Sequence, residues 1–196
     1  MKKTIIEKAA FCLPWTQTLL GTQVNGKPNF MALDWLTRVN LAPAMLGICV
    51  GKGHASHAAI LRTGEFSVNV PSVDMLAVTD YCGVVSAANT DKSKLFDVFY
   101  GQLKAAPLIQ ECPINIECRL VQNVDLPTNT LFIGEILNIY SEEKFLENGK
   151  PDISKTRPFL LTMPDNRFWA VGGQVGNAWR DGVKYKEKLA AGTPRE

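Results

Sequence analysis

PINIECRLVQ, residues 113–122, alternates with a period of two. Ile114, Ile116, Cys118 and Leu120 point one way, and Asn115, Glu117 and Arg119 point the other. This is the pattern of a strand with one face against a core. TLFIGEILNIY, residues 130–140, follows as a second long strand and is apolar on both faces. Ile133, Leu137 and Ile139 share one side with Glu135, while Phe132, Ile136 and Tyr140 share the other. In a chain of 196 residues, a strand covered on both sides implies that one side meets a partner subunit or a bound ligand.

Outward from this pair, the chain reads as many short strands. Residues 18–24 alternate loosely, Asn25-Gly26-Lys27-Pro28 turns the chain, and residues 29–37 return as a second strand. Residues 45–50 form a short buried strand. After the loop Gly51-Lys52-Gly53-His54-Ala55, Ser56 is placed to cap a helix over 57–63 that Gly64 closes. Residues 65–70 form a strand stopped by Pro71. Ser72 or Asp74 starts a short helix toward Tyr81, and a further helix is expected over 91–99. Residues 159–163 and 167–171 read as a closing pair around Pro164-Asp165-Asn166, and the tail from Gly172 is glycine-rich, then polar and charged. A doubly wound sheet needs more helices in regular alternation, so an all-β barrel with helical insertions is favoured.

Composition narrows the function classes. Hydrophobic residues make up 46%, enough for one good core, and the formal net charge is only +2, so nucleic acid is not the default partner. Charge at Glu7 and Lys8 interrupts any apolar run after Met1-Lys2-Lys3, which argues against a signal peptide. The apolar run near residues 39–51 falls short of the ~20 residues that a membrane span needs. Cys12, Cys49, Cys82, Cys112 and Cys118 are odd in number and widely spaced, which points to reduced thiols in a cytoplasmic protein rather than zinc or a disulfide framework.

Gly51-Lys52-Gly53-His54-Ala55-Ser56 comes close to G-x-G-x-x-G, but no acidic residue ends the next strand and no βαβ units continue, so a Rossmann site is disfavoured. The same segment has a simpler use. A helix N-terminus offers unpaired N–H groups and partial positive charge. Lys52, His54 and His57 add cationic or donor groups and Ser56 a hydroxyl, enough to hold a phosphate; the plain alternative is a solvated loop with a serine cap. His54 and His57 have no carboxylate or thiol close in sequence, so no metal site is assigned. Trp35 reads equally as a core tryptophan or as a wall beside a flat aromatic cofactor, with Thr37 and Asn40 as polar contacts. Lys92 is a surface lysine unless the fold returns it to the same phosphate. No G-x-S-x-G, P-loop or activated-cysteine pattern occurs and no catalytic residue is assigned, which fits chemistry supplied by a cofactor.

Several of these segments, taken in order, resemble the flavin reductase-like family of FMN-binding split barrels, and the flavoredoxins in particular. They are Asn25-Gly26-Lys27-Pro28-Asn29, Trp35-Leu36-Thr37, Pro43 before Leu46-Gly47-Ile48, and the Gly51-to-Ser56 segment. Then come TGEFSVNVP at 63–71, Cys82-Gly83, Ser86, Asp91-Lys92, Glu117-Cys118 and FIGEI at 132–136. The likeness covers about residues 12–180. It implies a mainly β, six-stranded Greek-key split barrel with a few short helices, as one domain over 1–196, with a core of about 12–171 and a C-terminal arm of about 172–196. It implies homodimers with one FMN per subunit near the interface. By position, Trp35, Leu36 and Thr37 meet the flavin ring and ribityl chain, with Asn40 beside them. Gly51, Lys52, Ser56 and His57 hold the phosphate, His54 is placed with them, and Ser86 and Lys92 approach from another loop. Arg38 is a candidate cation near the N1–C2=O edge. Pro43-Ala44 stands where the family often has Pro-Pro, and Ser56 where it often has Thr, with the hydroxyl kept. The activity implied is FMN-dependent oxidoreduction, as an NAD(P)H:flavin reductase or a flavoredoxin-type electron carrier. The alternative is a non-enzymatic FMN- or haem-binding module.

Overall fold

The computed structural model describes residues 3, 4, 13–163 and 165–191. Cys12, the Met1-Lys2 start and Pro164 of the expected 164–166 turn lie outside the described residues.

Strand β1 (Thr18–Val24) and strand β2 (Lys27–Leu33) form the expected hairpin, with Val24 opposite Lys27. Asn25 (φ 51°) and Gly26 (φ 76°) both take positive φ, the twist that a two-residue hairpin turn needs. Strand β3 (Leu36–Asn40) and strand β4 (Met45–Gly51) pair antiparallel. Helix α1 (Ala55–Thr63) ends at Gly64, whose φ of 67° is the left-handed C-terminal stop expected of it. Strand β5 (Glu65–Val70) leads through a 3₁₀ turn, Val73–Met75, into helix α2 (Leu76–Val84). The two long strands are β6 (Ile114–Asp125) and β7 (Asn129–Tyr140). A single turn α3 (Ile153–Thr156) follows, capped by Asp152. Strands β8 (Phe159–Thr162) and β9 (Arg167–Ala170) then pair, and helix α4 (Arg180–Ala190), all of it exposed, is the last element among the described residues.

The main sheet has the order β2-β1-β5-β6-β7-β4-β3, antiparallel throughout. It runs to seven strands because the expected strand over 29–37 breaks at Asp34 and Trp35. That break sends the chain from one edge of the sheet to the other, so β2 and β3 are consecutive in sequence and lie at opposite edges. The two-residue link is the seam of the split barrel.

The core lies inside the curved sheet. Leu20, Ile48, Val50, Phe66, Val68, Cys118 and Phe132 are fully buried, with Ile60 of α1 closing one side. Burying one such large apolar side chain contributes ~1.5–3 kcal/mol. Gly134 is required here: a Cβ on it would lie 2.5 Å from the Phe66 ring. On β7 the even positions from Thr130 to Gly134 are buried, while Leu131, Ile133 and Leu137 are half-covered and Ile139 is exposed. The face that the sequence leaves apolar is therefore only partly occupied within one chain. A second cluster joins Leu19 and Phe30 to Cys82 and Phe96, with the Phe30 and Phe96 rings meeting edge to face at 5.2 Å.

Three local expectations differ. Ser56 is not the cap of α1: His54 occupies that position with no side-chain cap bond, and Ser56 lies inside the first turn with its hydroxyl buried. Residues 91–97 form turns instead of a helix, and Val98–Phe99 is a short strand. There Asp91 accepts from the Ser93 N–H at 2.9 Å and from Lys27 Nζ at 2.6 Å, local bonds that compete with a helix. The polar tail carries α4, which the composition did not suggest.

Candidate functional site

A cavity of about 560 Å³ opens where β2, the seam, the start of α1 and the segment after α2 converge. Its volume is in the range of ~300–1,000 Å³ usual for cofactor sites. Toward the seam the wall is mostly apolar, formed by Met31, Leu33, Trp35 and Cys49 with Asp34 among them. The other end is polar: Gly51, His54, Ala55 and Ser56 stand on the α1 side, and Ser86 and Lys92 face them.

The polar end is built for an acceptor-rich guest. The α1 helix starts there: His57 N–H turns back to His54 O at 3.0 Å, while the N–H groups of Ala55 and Ser56 have no carbonyl four residues back within the helix, and the N-terminal end of the helix dipole is positive. Ser56 Oγ accepts from Thr22 Oγ1 at 3.2 Å and from Asn29 Nδ2 at 3.1 Å, so its own proton is left for a ligand. Asn29 lines the cavity, and its Oδ1 is buried without a hydrogen-bond partner among the described residues. An orphaned buried acceptor of this kind is costly unless a donor reaches it, so the guest must bring a hydroxyl or N–H beside its acceptor oxygens. Lys92, 3% exposed, donates from Nζ to Cys82 O at 3.2 Å and Val85 O at 3.1 Å. An ammonium has three donors, so the two carbonyls aim the group and leave one N–H over. Burial pulls the Lys92 pKa down, and the Cys82 thiol beside it is pushed up to about 11 by burial. A phosphate at this end would offset the cost of that buried cation.

The expected site residues divide into three groups. Trp35, Gly51, His54, Ser56, Ser86 and Lys92 are brought together around this cavity. Leu36 and Thr37 line a smaller pocket that adjoins it, of about 200 Å³, and Trp35 lines both. Lys52, His57 and Asn40 line neither. Lys52 Nζ turns to Asp125 at 2.8 Å. His57 sits on the side of α1 that packs against β7, with Nε2 2.8 Å from Thr130 Oγ1 and its ring edge-on to Phe132. Burial holds His57 below its ordinary pKa, with Lys52 adding to the effect. Asn40 donates to Pro43 O at 2.8 Å and is spent on the β3–β4 connection.

Asn29, Thr22, Asp34 and the Cys82–Gly83 pair in the last turn of α2 are functional candidates that sequence reading passed over as site residues. Asn29 follows an Asn-Gly turn and looks like turn chemistry; only its inward position on β2, 5% exposed, marks it. Asp34 stands at the seam, in the wall of both cavities, and burial raises its carboxyl pKa above the ordinary value. The cavity's plan fits a ligand with a flat ring at one end and a dianion at the other, such as a flavin mononucleotide.

The sequence and fold are similar to those of known proteins. Residues 11–162 match the family described as flavin reductase like domain. A flavoredoxin from Methanosarcina acetivorans is 51% identical, with 94% of this chain and 100% of that chain covered and a TM-score of 0.92. Flavoredoxin of Desulfovibrio vulgaris (Miyazaki F) is 29% identical, with 93% and 100% covered and a TM-score of 0.86. Among curated relatives, an NADH-dependent FAD reductase of Streptomyces globisporus is 26% identical over 123 residues, 62% of this chain and 68% of that protein. With the match spanning the whole barrel, from before β1 to the end of β8, the chain belongs to the flavin reductase-like domain family.

Proposed function

We propose that this flavin-binding redox protein holds FMN in the larger cavity and works as a homodimeric, cytoplasmic oxidoreductase with NAD(P)H as electron donor. The observation that carries the reading is the two-ended cavity: an apolar slot at Trp35 and Cys49, and a polar end where α1 begins and Lys92 is buried. Ser56, Ser86, Lys92 and the open amides of α1 hold the phosphate. Trp35 flanks the ring. Bound FMN would supply the electron chemistry; the chain binds it, orients it and keeps part of its surroundings dry. Lys52 and His57 support the α1 end from behind through the Asp125 and Thr130 contacts.

The dimer is supported by apolar residues left uncovered: Ile139 on β7, Val39 at the end of β3, and Leu41 at 91% exposure. Cys49, Cys82, Cys112 and Cys118 are free thiols, which fits a reducing compartment. Among the described residues no helix is long and apolar enough to cross a membrane.

A second reading, a flavoredoxin-type carrier that keeps its FMN and docks a protein partner, is favoured by the 51% identity to a flavoredoxin. Titrating apo-protein with FMN tests the cofactor: micromolar or tighter binding is expected, and a well-folded sample that takes up none defeats the proposal. Adding NADH and NADPH anaerobically to the loaded protein separates the roles. Bleaching within seconds supports the reductase; bleaching only with a protein donor supports the carrier; bound flavin that no reductant turns over supports a binding module.

A further inference from the structure

At its polar end the larger cavity continues into a groove of about 250 Å³. Asn29, Ala87 and Lys92 line both spaces, whereas Met31, Leu33, Trp35 and Cys49 line the cavity and not the groove. A ligand that runs on past the phosphate end therefore enters this groove. One of its walls is the β1–β2 turn with Asn25 and Lys27, and the other is the segment from Ala87 to Asp91. An ion pair ties the walls together, with Lys27 Nζ 2.6 Å from Asp91 Oδ2. Asp91 Oδ1 accepts from the Ser93 N–H at 2.9 Å. Both carboxylate oxygens are thus held, and the negative charge stays fixed in the groove wall. Lys27 is spent on that carboxylate. Lys92 is the one further cation in the lining among the described residues, and it already serves the phosphate of the cavity. A second phosphate placed in the groove would meet the Asp91 carboxylate with both neighbouring cations engaged. A site discriminates through a charge set against the wrong ligand as well as through contacts to the right one.

We propose that Asp91, braced by Lys27, is a specificity-determining residue: it makes the site take a flavin that ends in a single phosphate, FMN, and reject one whose phosphate runs on into a diphosphate, FAD. The inference rests on the flavin reading above and deepens it. Two adjacent residues divide the work. Lys92 turns inward and receives the first phosphate, and Asp91 stays in the groove and repels the second. Both members of the Lys27–Asp91 pair are exposed, so the repulsion is that of a surface charge, on the order of tenfold in affinity.

The test is fluorescence titration of apo-protein with FMN and, separately, with FAD. The parent protein should bind FMN more tightly than FAD by on the order of tenfold. Asp91→Asn keeps an oxygen for the Ser93 N–H, removes the negative charge and frees Lys27 for the second phosphate. It should close the gap, raising FAD affinity by on the order of tenfold while FMN stays within about fivefold. Lys27→Met leaves the carboxylate unpaired in the groove, so FAD should remain as weak as in the parent or become weaker. If Asp91→Asn fails to fold, Asp91→Ser, whose hydroxyl can still accept from the Ser93 N–H, carries the same expectation. Four results overturn the assignment: equal binding of the two flavins by the parent, an unchanged ratio in the folded Asp91 variant, a gain for FAD in Lys27→Met as large as in Asp91→Asn, or equal losses of both flavins in both variants. The last would mean that the pair merely holds the segment in place. FMN uptake without discrimination sinks the role of Asp91 and spares the flavin reading; a folded protein that takes up neither flavin sinks both.

Discussion

Gly51, His54 and Ser56 reach the larger cavity from six consecutive residues at the head of α1, whereas Ser86 and Lys92 reach it from a turn-rich segment after α2. The first wall is local: a strand ends, a loop turns and a helix begins, and all three signals are short-range. The second wall depends on distant anchors. Lys27 on the β1–β2 hairpin pairs with Asp91 at 2.6 Å, and Phe96 packs against Phe30. Only then can Lys92 turn inward, where its charge is desolvated. One wall presents amides and a hydroxyl that fold in any case; the other presents a buried cation that the rest of the protein must hold in place.

If that contrast is right, the largest effect belongs to Lys92. Lys92→Met should weaken FMN binding by about 10- to 150-fold, the factor carried by one charged hydrogen bond of ~1.5–3 kcal/mol. The same titration on Lys52→Met should move the affinity by less than about fivefold, since Lys52 is spent on Asp125 and the loss of an exposed pair is worth ~0–1 kcal/mol. Equal losses in the two variants would erase the distinction between the walls.

Ser56→Ala comes next. It removes one neutral hydrogen bond to the ligand, about 2- to 12-fold in FMN affinity for ~0.5–1.5 kcal/mol. It also leaves Thr22 and Asn29 without their acceptor, so chemical denaturation should show a loss of ~1–3 kcal/mol even without FMN.

Asp34→Asn sharpens the role of the seam. Burial raises the folded carboxyl above its ordinary value of 3.8, so ionising Asp34 costs stability as pH rises through the window above 3.8. The asparagine variant should therefore melt higher than the parent at neutral pH, with the gain vanishing below pH 3.8.

The smallest effect lies at His57. Its folded pKa is held below 6.5 by burial, so the unfolded chain takes up protons first and stability falls as pH drops through that value. His57→Gln should flatten the slope of melting temperature against pH there, and an unchanged slope would remove His57 from the account.

Much of the fold was legible because its signals are local. The β1–β2 turn needed Asn25-Gly26, the stop of α1 needed Gly64, and the two long strands carried their own period. The break at Asp34 and Trp35 was not legible: apolar residues continue on both sides, and only closure of the sheet forces the chain across. Residues 91–99 carry charges and apolar groups at helix-like spacing, but side-chain bonds from Asp91 and the inward turn of Lys92 outweigh a weak propensity. Within the site, the α1 wall could be read from the Gly51-to-Ser56 pattern. That Lys92 enters the cavity while Lys52 leaves it could not, because the choice is made by Asp125, 73 residues away.

The two-residue passage between β2 and β3 also governs how the protein tolerates changes in length. Side chains in a strand switch faces with every residue, so one residue added at the passage would exchange the inward and outward sets of β3 while β2 stayed fixed. Trp35 would be carried away from both chambers it now borders. The exposed turn at Asn148-Gly149 bears no such parity and can absorb insertions. Engineered linkers therefore belong there, and the passage at 34–35 keeps its length.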